Sequence, residues 1–355
     1  NNISKAIRSI IGPLVVRRSR LDLQDIPDYA KDLKQQKIQL VIPNDPEELT
    51  YDLSQMKDLY LNTLDRISKS EGSTDNITRF KAARYSPVLY VKKDMREQLA
   101  QELEEKTGIK FGLLIGRQTN VSSFMRHLLV SRFESSMAAF QTSLGYMIQS
   151  AEQLLTWIYK RHKIPVYKKG NLPEVDDFYT DDGMEEIQET FDKYESRGFF
   201  EIDMKYVEDN FIEDVKTDIH LLQSLREEWF GKENVIKQDP KLDSFIEIAK
   251  KKLEQEPERK LIVFSEYADT VDYLGKKLVE AGLPVMKYTS ADASPNNKEL
   301  IRANFDAGLK KELQRDDYKI LVATDAISEG YNLHRAGAIF NYDIPYNPTR
   351  VIQRI

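Results

Sequence analysis

Cysteine is absent from the 355 residues, so the chain forms no disulfide, holds no thiolate-bound metal and carries no cysteine nucleophile. Histidine is scarce: His127, His162, His220 and His334 stand apart with no HExxH pair, and no metal site is expected. There is no GxSxG elbow, no GxGxxG fingerprint and no GxxxxGK[ST] loop. Serine acyl transfer, Rossmann-type dinucleotide binding and a P-loop cradle for β- and γ-phosphates are thereby set aside. No apolar run approaches the ~18 residues that span a bilayer, and Asn1-Asn2-Ile3 leads into an amphipathic segment without a signal-peptide core. The expectation is a cytoplasmic protein with no membrane partner.

What is present fits a globular chain. Hydrophobic residues make up 41% and charged ones 31%, which excludes wholesale disorder. At roughly 150 residues per domain, the length suggests two or three structural units. The net charge of −6 hides an uneven distribution, because residues 171–230 hold 19 acidic and 5 basic side chains, a local charge of −14. Basic clusters lie outside this block: Arg17-Arg18-Ser19-Arg20, Arg79-Phe80-Lys81-Ala82-Ala83-Arg84, and Lys160-Arg161 followed by Lys168-Lys169. Such clusters either follow a phosphate backbone or form solvated helix faces. Asp181-Asp182-Gly183 suggests a calcium loop, but placing Gly183 at loop position 6 puts Phe178 and Thr180 where oxygen-rich ligands are required, so that reading is dismissed.

Periodicity divides the chain. Residues 1–44 read as a connector with a short helix at Ser4–Ile11 and a β-prone stretch at Ile38–Ile42. Residues 45–235 read as helical. Asp45-Pro46-Glu47-Glu48 predicts a helix start. A continuous apolar face from Ser122 to His162 predicts one long helix, with Gly145 as a candidate bend, and Gly231 ends a helix begun near Phe211. From 236 to 355 short apolar runs at Leu261–Phe264, Val285–Tyr288, Lys319–Ala323 and Ala338–Tyr342 alternate with amphipathic helices. That alternation signifies an α/β lobe with a parallel sheet and helices on both faces. Ligands on such sheets gather beyond the carboxyl ends of the strands, which singles out Ser265, Thr289, Ser290, Thr324-Asp325 and Asp343.

Three segments carry these positions: KLIVFSEYADTVDYL from Lys260, ILVATDAISEGYNL from Ile320 and AIFNYDIPYNPTRVIQRI from Ala338. In order and spacing they resemble motifs IV, V and the start of VI in the second RecA-like lobe of superfamily-two helicases, most closely Swi/Snf-type double-stranded DNA translocases and their bacterial RapA-like members. The family pattern of Asp, Pro, Trp-Asn-Pro and Gln-Arg reads here as Asp343, Pro345, Tyr346-Asn347-Pro348 and Gln353-Arg354. Pro13–Arg18 resembles the connector leaving the family's first lobe, and Ser131-Arg132-Phe133-Glu134-Ser135-Ser136 resembles a helix of some bacterial members. Departures are Glu329 for a common Arg, Asn332 for Asp, Lys298 for Arg, and Thr289-Ser290-Ala291 for a small-Gly turn.

The resemblance implies an ATP-driven motor on DNA. Ser265, Thr289, Ser290 and Thr324 would contact phosphates, with Lys160, Arg161, Lys168 and Lys169 as auxiliary contacts. Gly330, Asn332, Gln353 and Arg354 would face the nucleotide. ATP and Mg would be held mainly by a first lobe expected before Asn1, and motif VI would continue beyond Ile355, so these residues alone would be inactive. A different reading is a non-catalytic scaffold that keeps a degenerate lobe. In either case a protein partner would dock on the helical insertion or the acidic block.

Overall fold

The computed structural model describes residues 25–36, 44–68, 77–167, 199–327, 331–345 and 347–354. The chain divides into two units, Asn1–Thr50 and Tyr51–Ile355. In the first, α1 (Pro27–Gln36) starts with a proline, carries Asp28 in its first turn and Lys34 in its last, a charge order that suits the helix dipole. The expected Ser4–Ile11 helix, the Ile38–Ile42 strand and Arg17-Arg18-Ser19-Arg20 lie outside the described residues.

The helix expected from Asp45 does not form there; residues 44–53 carry no regular structure. Asp52 accepts the Ser54 amide at 2.8 Å and its hydroxyl at 3.0 Å, and this local turn holds Ser54 at φ +48° and delays α2 to Lys57–Ser68. Then follow α3 (Arg96–Thr107), α4 (Phe111–Ser135) and α5 (Met137–Arg161). The predicted single helix is thus two. The break sits at Ser136, in extended conformation, whose hydroxyl accepts the Ala139 amide at 3.0 Å, while Gly145 lies inside α5 without a break. After it come β1 (Lys163–Tyr167), β2 (Phe199–Asp203) and α6 (Asn210–Phe230), which stops at Gly231 with φ +66°. The antiparallel β1–β2 pair, with Pro165 opposite Glu201, is a small sheet that the sequence reading did not place within the mostly helical region.

These helices share one core. Phe133 lies 4.5 Å from Phe140 and 5.1 Å from Trp229, ring centre to ring centre, and the Trp229 indole donates to Thr63 Oγ1 at 2.9 Å. The Arg79–Arg84 cluster turns inward rather than along a phosphate track. Arg79 is buried against Asp65 at 2.9 Å, Lys81 pairs with Asp214 at 2.9 Å, and Arg84 donates to Ser150. Beneath it the buried Asp218 accepts the amides of Lys81 at 2.7 Å and Ala83 at 2.8 Å.

The remaining elements are α7 (Pro240–Gln255), β3 (Lys260–Phe264), α8 (Ala268–Glu280), β4 (Val285–Tyr288), α9 (Pro295–Phe305), β5 (Ile320–Ala323), β6 (Ala336–Asn341) and α10 (Pro348–Arg354). Asp239 starts α7 by accepting the Leu242 amide at 3.0 Å, with Pro240 at the first helical position. These four strands pair in parallel, in the order β4-β5-β3-β6. Alternation assigns the faces: Leu261, Val263, Ile320 and Val322 pack with α7 and α8, whereas Ile262, Phe264, Leu321 and Ala323 pack with α9. Both faces are covered, as the apolar runs required. Among the described residues, no helix is long and apolar enough to cross a membrane.

Removing the Asp218 carboxylate strands two buried backbone donors. Asp218→Ala should cost about 3 kcal/mol in urea denaturation, and Asp218→Asn, which keeps one accepting oxygen, distinctly less. Equal losses from the two substitutions would show that the amides find other acceptors.

Candidate functional site at the strand ends

Beyond the carboxyl ends of β3, β5 and β6, polar side chains converge from four segments. Asp343, two residues after β6, accepts the hydroxyl of Ser265 at 2.6 Å and the amide of Glu266 at 2.8 Å. Arg354 returns from α10, with Nε 2.5 Å from Asp325 Oδ1, Nη2 2.9 Å from Asp325 Oδ2 and Nη1 2.8 Å from Asn341 Oδ1. Its guanidinium also lies 5.0 Å over the Phe264 ring. Arg350, one turn earlier, is 3.4 Å from Asp325 and 4.0 Å from Glu266. The bidentate Arg354–Asp325 pair fixes the segment after β5 against the end of β6.

Glu266 is the chemically unusual member. It is 4% exposed, and its Oε1 makes no hydrogen bond. Burial, reinforced by the Asp343 charge and opposed by Arg350 and Arg354, pushes its carboxyl up from 4.5 to about 8. At neutral pH it is a protonated acid, able to donate.

The sequence-predicted residues separate into groups. Ser265 is fully buried and committed to Asp343. Thr324 is fully buried at the end of β5, and its Oγ1 has no hydrogen-bond partner. Thr289 forms a capping box with Asp292, its hydroxyl 2.9 Å from Oδ2, while the adjacent Ser290 is exposed. Asn332 is exposed. Arg354 is 4% exposed, held by Asp325 and Asn341. Lys160 is exposed at the end of α5, whereas Arg161 forms a two-bond pair with Glu201, at 2.6 and 3.2 Å, that Lys163 joins at 3.3 Å. Gly330, Lys168 and Lys169 lie outside the described residues, as does the side chain of Gln353. Sequence reasoning did not single out Glu266, Asn341 or Arg350. Glu266 carried one usable signal, an acid two residues past the wholly apolar run Leu261–Phe264.

Because the folded value of Glu266 lies above its ordinary one, its stabilising contribution is complete below about pH 4.5 and is lost as pH rises through about 8. The melting temperature of Glu266→Gln relative to the parent chain should therefore climb between pH 5 and pH 9. A constant difference across that range would show that the carboxyl titrates as in solvent.

Residues 241–355 match the helicase conserved C-terminal domain. Over 99 residues the chain is 35% identical to the uncharacterized ATP-dependent helicase YqhH of Bacillus subtilis (strain 168), a stretch covering 27% of this chain and 15% of that protein. The Hef helicase domain of Pyrococcus furiosus is similar over 93% of this chain and 54% of its own length, at 16% identity and a TM-score of 0.45, too low to add to the fold described above. The chain thus spans about half of that structure and a small part of that relative. The matched sequence, on a parallel sheet covered on both faces, makes residues 241–355 similar to a helicase C-terminal domain.

Proposed function

We propose that this chain is part of an ATP-driven, double-stranded DNA translocase of the Swi/Snf or RapA-like kind, working in the cytoplasm and supplying motifs IV, V and the start of VI. The observation that carries this reading is Thr324. Its hydroxyl sits at the carboxyl end of β5, buried and without a hydrogen-bond partner, within the segment that matches the helicase domain. An unmade bond in a buried hydroxyl costs roughly 1–3 kcal/mol, and a phosphate oxygen is an acceptor that relieves it. Exposed Ser290 at the next strand end gives a second hydroxyl on the same edge, and Lys160 offers a cation farther along the helical region.

For ATP and Mg the fit is partial. Arg354 is engaged by Asp325 and Asn341, Asn332 is exposed, and the sequence holds no GxxxxGK[ST] loop. Those residues can shape one wall of a nucleotide cleft, but phosphoryl transfer also needs a phosphate cradle and metal ligands. No catalytic step is assigned to this chain.

Two measurements test the reading. Thr324→Val removes the hydroxyl and keeps the shape. It should leave the melting temperature unchanged or raised and weaken binding of a fluorescent DNA duplex by about tenfold at low salt, the effect of one bond to a charged oxygen. Unchanged duplex affinity would remove Thr324 from the interface. The purified 355-residue chain should also show no ATP hydrolysis with or without duplex, and robust turnover would overturn the assignment of the nucleotide machinery to another lobe.

A further inference from the structure

The strand-end cluster is contacted by a segment that the proposed function leaves unused. Ser131-Arg132-Phe133-Glu134-Ser135-Ser136 ends α4 and forms the break before α5, and its Arg132, Ser135 and Ser136 side chains are buried. Arg132, 1% exposed, donates from Nε to Ser143 at 2.9 Å, pairs with Asp269 at the start of α8 and lies 4.7 Å over the Tyr267 ring. Lys241 of α7 donates to the carbonyls of Glu134 and Ser135, both at 2.8 Å, satisfying acceptors that the end of α4 leaves open.

Three buried hydroxyls complete the contact. Ser135 Oγ is 2.6 Å from Asp343 Oδ2 and 2.9 Å from Thr270 Oγ1, and Thr270 Oγ1 is 2.7 Å from Ser136 Oγ. Their direction follows from proton counting. A carboxylate only accepts, so the single Ser135 proton goes to Asp343. Thr270 must then donate to Ser135, and Ser136 to Thr270, while Ser136 accepts the Ala139 amide at 3.0 Å. The chain runs Ser136 to Thr270 to Ser135 to Asp343. It ends on the same oxygen that accepts Ser265, whose partner oxygen accepts the Glu266 amide. Buried polar chains of this kind specify one arrangement, because each misplaced member strands the next.

We propose that Ser135, acting through Asp343, is a positioning residue for the Ser265–Glu266 turn, so that the helical region sets the geometry with which the lobe meets nucleic acid. Only the final clause rests on the function proposed above. Alternatives built on apolar contact would hold the two parts together without selecting the oxygen that Ser265 uses.

Amide hydrogen exchange and duplex titration on the full 355-residue chain test this. In Ser135→Ala the Glu266 amide should exchange about 3- to 10-fold faster, the effect of one lost hydrogen bond, while the amides of Val263 and Val322 keep their rates. Affinity for a fluorescent DNA duplex should fall by a similar factor. Asp343→Asn should produce the same local release, and the double variant should add little to either single one, as expected for residues acting in one chain. Four results would overturn the proposal: an unchanged Glu266 amide, core amides released in step with it, additive effects of the two substitutions, or unchanged duplex affinity once the Glu266 amide is free. If the parent chain binds no duplex at all, the nucleic-acid reading fails, and the exchange and additivity results alone decide whether Ser135 positions the turn.

Discussion

Asp343 is the carboxylate on which the arrangement of the strand ends depends. It follows the edge strand β6, yet its three donors come from elsewhere: the Ser265 hydroxyl and Glu266 amide after β3, and the Ser135 hydroxyl at the end of α4. A second carboxylate, Asp325 after β5, is gripped by Arg354, which also reaches Asn341 at the end of β6. The pair of acids therefore laces the ends of three neighbouring strands. Each removes from the interior a set of polar groups that would otherwise be stranded without water.

The turn after β3 is held from two directions. Its serine and glutamate point their bonds at the lobe, through Asp343, while the next residue, Tyr267, is buried in the helical core with Arg132 over its ring. Polar bonding at Ser265 and Glu266 thus gives way to apolar packing at Tyr267. Helical region and lobe keep separate apolar cores apart from this tyrosine, so the buried polar contacts around Arg132 and Ser135 supply much of the specificity of their join.

Much of the lobe was legible in sequence because its central strands are buried on both faces, which leaves short, wholly apolar runs closed by Ser265 and by Thr324. Asp239 starts α7 because its side chain truly caps the helix. Asp45-Pro46 carries a similar signal and starts nothing, because Asp52 captures Ser54 in a competing turn. The break at Ser136 lay hidden in a continuous apolar face, since its cause is long-range: hydroxyls there bond to Thr270 and Asp343, more than a hundred residues away. The same holds for charge. Arg79-Phe80-Lys81 reads as a basic surface run, but its partners Asp65 and Asp214 come from α2 and α6 and draw it inward. The resemblance drew attention to Arg354 and the strand-end position to Asp325, while their pairing and the burial of the neighbouring Glu266 came from geometry.

The protonation of Glu266 gives the cluster its charge balance. With its carboxyl pushed up to about 8, the acid is neutral near pH 7, leaving Asp325 set against Arg350 and Arg354, and Asp343 near the charge of Lys241. Were Glu266 ionised, three carboxylates would stand together at short range, where repulsion is weakly screened. As a neutral acid it repels nothing and has a proton to donate, while burial keeps it from exchanging that proton freely with solvent. The cause of its neutrality is largely its burial, just past a strand covered on both faces, with the Asp343 charge adding to the effect. The carboxylate that orders the turn thus also helps to keep its acidic neighbour uncharged. On the proposed function, one contact would then shape the phosphate-facing edge in both geometry and charge.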